Sequence, residues 1–195
     1  MNSTPTRRRV RRTAPRIVSR PSTFLFLVIL SVLCVSAVNL THAERIALVI
    51  GIDNYQSLGK LKVCRNDARS LANVLVSRAG FPKDFVILLT DDAPQVQNRP
   101  TYATMRRRIR QVTELARKGD TLLIFFSGHG LQKDGQGYLA PMDGDMEIAI
   151  PLRWVRQRLE ESAASSKTLI LDACHAGAAT KGVGGVGDED RKSVV

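Results

Sequence analysis

An α/β fold with a mostly parallel sheet, arranged as a three-layer αβα sandwich, is predicted by two observations. Short apolar runs of strand length alternate with amphipathic stretches of helical period, and the last two apolar runs each end in a glycine-bearing turn. Residues 45–51 (RIALVIG) read as the first strand. A helix follows over 66–78, opening at Asn66-Asp67, which supplies a capping side chain and an acid in the first turn. Residues 84–90 (DFVILLT) form the second strand, bounded by Phe81-Pro82 and Asp91-Asp92. Residues 101–117 carry Met105, Ile109, Val112 and Leu115 at helical spacing with arginines between them. The strand at 121–126 (TLLIFF) leads to His129, a helix over 152–164 turns Leu152, Val155 and Leu159 inward, and the strand at 167–172 (KTLILD) leads to Cys174. Continuous apolar runs are what a parallel sheet needs when helices cover both of its faces, and right-handed crossovers join them.

Length and composition bound the rest. A chain of 195 residues with 44% hydrophobic and 24% charged residues supports one domain of ordinary size. The net charge of +11 is misleading as a guide to partners, because Arg7, Arg8, Arg9, Arg11, Arg12, Arg16 and Arg20 supply seven charges before residue 44 with no acid among them. The remaining +4 over 44–195 is an ordinary balance and argues against a nucleic-acid partner. The arginines precede an apolar run from Thr23 to Leu40 and then Thr41-His42-Ala43, the three parts of a secretory signal cut after Ala43. An uncleaved membrane anchor is the competing reading of residues 1–43, since the run approaches spanning length. Arg11-Arg12 lacks a twin-arginine context and Cys34 lacks a lipobox. Either way the domain is expected to be exported or tethered, touching a membrane only through this segment.

The chemistry lies at two strand ends: Ser127-Gly128-His129-Gly130 and Asp172-Ala173-Cys174-His175-Ala176-Gly177. In an open α/β sheet the residues just past the carboxyl ends of the strands line the ligand crevice. If the two strands are neighbours, His129 faces Cys174, and imidazole beside thiol is the minimum for nucleophilic catalysis. The flanking glycines admit a substrate backbone, and the N–H groups of Gly130 and Cys174 are candidates for an oxyanion hole. His175 points away from its neighbour on extended backbone and reads as structural.

These motifs, with RIALVIGIDN at 45–54, VCRNDAR at 63–69 and YLAPMDG at 138–144, resemble the caspase-like cysteine peptidases. The Asp-Ala-Cys-His form is closer to the metacaspase and bacterial branch than to animal caspases, which have glutamine where Asp172 stands. The resemblance covers roughly 44–177 and implies a caspase-like catalytic domain there. It implies a Cys174–His129 dyad acting on peptide or protein substrates. It also implies a pocket lined by Cys64, Asp67, Ser127 and Asp172 that selects Arg or Lys at P1. Calcium activation is implied as well, with no resident cofactor. Asp143, Asp145, Asp188, Glu189 and Asp190 are the candidate oxygen ligands, although their spacing builds no self-contained loop and a solvated acidic turn reads better. Zinc is rejected for want of paired ligand spacing among Cys64, His129, Cys174 and His175.

The resemblance further implies a large-subunit equivalent, a fragment or a truncated product, lacking the C-terminal small-subunit part. Residues 178–195 then read as a flexible loop or tail. The strand at 167–172 becomes a sheet edge open to a small-subunit or self-association partner. Without residues 1–43 only Cys64 and Cys174 remain, a pair able to bridge in an oxidising compartment. Two rivals stand beside the peptidase: a non-catalytic caspase-like regulatory module, and a flavodoxin- or receiver-like binding domain. The second is weak, because Gly51-Ile52-Asp53-Asn54 supplies a single glycine after the first strand.

Overall fold

The computed structural model describes residues 43–145, 147–173 and 193–194. Its elements run β1 (Arg45–Gly51), α1 (Cys64–Ser77), β2 (Val86–Thr90), α2 (Tyr102–Leu115), β3 (Thr121–Ser127), β4 (Gly130–Lys133), β5 (Gln136–Leu139), β6 (Ile150–Pro151), α3 (Leu152–Glu161), β7 (Ser166–Asp172) and β8 (Ser193–Val194). The main sheet has the order β2-β1-β3-β7-β8, its first four strands parallel and β8 antiparallel to β7.

Alternation along β1 explains the three layers. Ile46, Leu48 and Ile50 face one side, packing with Leu122, Ile124 and Phe126 of β3 against Met105, Ile109 and Val112 of α2 and Val155 and Leu159 of α3. Ala47 and Val49 face the other side, with Phe125, against Ala68, Ala72 and Leu75 of α1. Each large side chain buried this way contributes about 1.5–3 kcal/mol of hydrophobic stabilisation. Gly51 lets α1 sit close to the sheet: a Cβ there would collide with the Cys64 carbonyl and lie 2.6 Å from Ala68 Cβ.

Several local expectations need correcting. The first helix starts at Cys64, two residues before Asn66, and its N-cap Val63 offers no side-chain bond. Asp53 in the loop after β1 takes the Cys64 N–H instead, at 2.9 Å, so the cap comes from outside the helix. A 3-10 turn at Lys83–Phe85 precedes the second strand. Leu115 is 42% exposed at the C-terminal end of α2 and is not a core residue. A small antiparallel sheet, β4-β5-β6, accompanies the main sheet, with no apolar run to mark it because Gln132, Lys133 and Gln136 interrupt the pattern. Its turn signal was present in Asp134-Gly135, both at positive φ (52° and 72°), the backbone that a two-residue hairpin favours. Finally, β7 is not a bare edge, since Ile170 and Leu171 pair with Val194 and Ser193. The expected tail at 178–195 therefore includes a short strand, while 178–192 and the segment 1–42 lie outside the described residues.

Candidate active site

The four parallel strands end in one register row. Gly51 pairs with Thr90 on one side and with Ser127 on the other, and Ser127 pairs with Asp172. The residues that follow each strand therefore meet at a single edge of the sheet. The strands leading to His129 and to Cys174 are direct neighbours; Cys174 and His175 lie outside the described residues.

His129 is half-buried and held on three sides. Its backbone N–H donates to the Tyr55 hydroxyl at 2.8 Å, and its ring lies 4.8 Å from the Tyr55 ring at a 54° tilt. Its Nε2 sits 2.7 Å from the Gly59 carbonyl oxygen. A carbonyl can only accept, so Nε2 carries the hydrogen and Nδ1 is left as the basic nitrogen. The loop that presents Gly59 is pinned by Leu61 N–H to the Asp53 carbonyl (2.8 Å) and Gln56 N–H to the Met142 carbonyl (2.9 Å). Gly128 must lack a side chain here, because a Cβ would press on the Tyr55 hydroxyl and lie 2.9 Å from Phe126 Cζ. Gly130 is buried and opens β4, paired with Leu139.

Three of the four expected pocket residues converge beside this histidine. The Ser127 hydroxyl, 1% exposed, donates to Asp172 Oδ2 at 3.3 Å. Burial, the largest cause, pushes the Cys64 thiol above its ordinary range, the nearby Ser127 hydroxyl opposes this, and the carboxylates of Asp53 and Asp172 reinforce it. Cys64 is thus held as a neutral thiol, unsuited to act as a nucleophile. Asp67 stands half-buried one turn along α1 from Cys64, on the same side of the helix.

Sequence reasoning missed the support of this pocket. Asp53, 2% exposed, takes Arg65 Nε at 2.7 Å with the oxygen not used for Cys64. Asp91 receives the backbone N–H groups of Asp53 (2.9 Å) and Asn54 (3.2 Å) and the Asn54 amide (2.7 Å). Asp92 pairs with Arg69 and Arg65, and the Arg69 bond foremost holds its carboxyl below the usual range. The available signal was a polar cluster, Asp53-Asn54 and Asp91-Asp92, immediately after two apolar strands. Two calcium candidates have local duties: Asp143 accepts the Tyr102 N–H at the start of α2 (2.7 Å), and Asp145 accepts from Glu147 and Ile148. Asp188, Glu189 and Asp190 lie outside the described residues.

A family model for the caspase domain matches residues 44–194, and the chain belongs to that family of cysteine peptidases. Within it, similar relatives are metacaspases. Metacaspase-1 of Pyricularia oryzae is 32% identical over 155 residues, covering 70% of this chain and 37% of the relative. Metacaspase-3 of Arabidopsis thaliana is 32% identical over 142 residues, covering 67% and 39%. The chain thus spans about two-fifths of the length of these relatives. A crystal structure of a protein from Geobacter sulfurreducens shares the fold, with a TM-score of 0.53 at 23% identity over 68% of this chain and 51% of that one.

Proposed function

We propose that this chain is a cysteine endopeptidase that cleaves peptide bonds after Arg or Lys, with Cys174 as nucleophile and His129 as its acid–base partner. The observation that carries this reading is the Nε2 contact to Gly59, which leaves Nδ1 of His129 as the base at the strand edge beside β7. Nδ1 takes the Cys174 proton, and the thiolate attacks the scissile carbonyl. The imidazolium keeps Nε2–H on the Gly59 carbonyl, then returns its Nδ1 proton to the leaving amine. Water, deprotonated by the same nitrogen, next releases the acyl group. N–H groups at Gly130 and Cys174 hold the oxyanion, each worth about 3 kcal/mol in comparable sites.

A P1 guanidinium or ammonium suits a pocket that already holds Asp172 beside Ser127 and Cys64, with Asp67 a turn away. The Arg-rich, apolar and small-residue blocks of residues 1–43 support export of the domain or its tethering to a membrane. Fluorogenic peptides with Arg, Lys or Asp at P1 test the reading on the full chain, reduced, with and without calcium, against Cys174→Ala. Cysteine-dependent turnover after Arg or Lys supports it. A folded protein that cleaves none of them, and is not labelled at Cys174 by an electrophilic peptide, favours the regulatory module.

A further inference from the structure

Three carboxylates of the described residues are buried: Asp53 at 2%, Asp91 at 8% and Asp120 at 5% exposure. Arg65 reaches both Asp53 and Asp91. Asp120 differs, because among the described residues no Lys, Arg or His side chain stands within ion-pair distance of it. A buried carboxylate without a cation is costly, and proteins rarely leave one so. Its oxygens accept two backbone N–H groups, Arg117 at 2.7 Å on Oδ2 and Glu44 at 2.8 Å on Oδ1. Glu44 is otherwise fixed by its carbonyl, which takes the Thr121 N–H at 2.8 Å, while Ala43 before it is exposed.

Glu44 is also the residue that follows the small-residue site at Thr41-His42-Ala43. We propose that Asp120 is the docking site for the α-ammonium of a mature chain beginning at Glu44. This rests on the reading of residues 1–43 as a cleaved export signal and deepens it. A membrane-bound leader peptidase of the export machinery would supply the cut. Water adds across the Ala43–Glu44 bond, the C–N bond breaks, Ala43 leaves as a carboxylate, and Glu44 nitrogen gains protons to become an ammonium. The nitrogen already aimed at Asp120 Oδ1 thereby acquires the positive charge that no side chain of the described residues brings to Asp120. Ala43, on the discarded side of the bond, is exposed. The site lies where β1 and β3 begin, at the edge of the sheet opposite His129, so it acts on the fold and not on the chemistry. Cleavage would then tighten the domain only after export, since the uncut precursor offers Asp120 a neutral amide.

The test begins with the full chain expressed in an exporting host and the intact mass and N-terminal sequence of the product. The expected amino terminus is Glu44. Retained precursor, or a terminus elsewhere, overturns both the cut site and the docking. Next, Asp120→Asn is compared in the processed protein and in a precursor kept whole by Ala43→Phe. The expected loss in Tm is larger in the processed protein by at least about 3 °C. Equal losses with a Glu44 terminus overturn the docking alone. If Asp120→Asn does not fold, acylation of the Glu44 α-amine by an amine-reactive ester decides. It is expected to run at least about tenfold slower in the native processed protein than in denaturant, and equal rates overturn the proposal.

Discussion

His129 and Gly59 are joined by a 2.7 Å contact between the imidazole Nε2 and a backbone carbonyl oxygen. No carboxylate is needed to orient this histidine, because an obligate acceptor fixes its tautomer as firmly as an aspartate would. The cost is that the orienting group belongs to a loop, 52–63, whose position depends on bonds to Asp53 and Met142. The tautomer of His129 is therefore tied to the integrity of the polar cluster around Asp53 and Asp91.

Tyr55→Phe removes the acceptor for the His129 N–H and retains the ring that packs against the imidazole. The bond is worth about 1 kcal/mol. A five- to tenfold fall in kcat with KM little changed is the expected outcome in steady-state assays. Unchanged kcat would show that Gly59 alone positions the histidine.

Gly128→Ala places a methyl group against the Tyr55 hydroxyl and Phe126. Overpacking of this kind costs about 1–3 kcal/mol. Urea unfolding should show the loss, and turnover should fall further than in Tyr55→Phe because His129 moves as well. Full activity at wild-type stability would mean that the strand end is softer than its packing implies.

Asp53→Ala strips the first helical N–H of α1 of its acceptor and leaves Arg65 with weaker partners. Loss of a cap together with a buried pair should cost about 2–4 kcal/mol, read as a lower urea midpoint at constant slope. Asp53→Asn keeps an oxygen for the Cys64 N–H and should recover part of that loss. If the alanine variant costs under about 0.5 kcal/mol, the cap from outside the helix is not what fixes Cys64.

What the sequence made legible follows from chemistry of short range. Continuous apolar runs announced β1, β3 and β7, and their ends marked Ser127, His129 and Asp172 as residues that meet only if β3 and β7 are neighbours, which the pairing of β3 with β7 supplies. The start of α1 was misplaced because its acceptor, Asp53, lies eleven residues upstream in a loop, where no local capping rule reaches. Tyr55 and Gly59 were invisible for the same reason: each touches His129 across more than sixty residues, and one of them does so through its backbone, which carries no residue identity. The β4–β5 hairpin was legible in Asp134-Gly135, but its strands are too polar to be found by periodicity.

Alkaline stability gives the last prediction. Burial pushes both the Cys64 thiol and the Tyr55 phenol above their ordinary values. In the unfolded chain these groups lose their protons near 9 and 10, whereas the folded protein keeps them. The native state then binds more protons than the unfolded state, so the unfolding free energy falls as pH rises. Their contribution is fully present below the unfolded thiol pKa and is lost as pH climbs through that value toward the folded ones. Tm measured from pH 7 to 10.5 should therefore decline from about pH 8.5 onward. Cys64→Ala should flatten the first part of the decline, and Tyr55→Phe the later part. A Tm that holds level across this range would show that water reaches the thiol and the phenol more freely than their packing beside Ser127 and His129 implies.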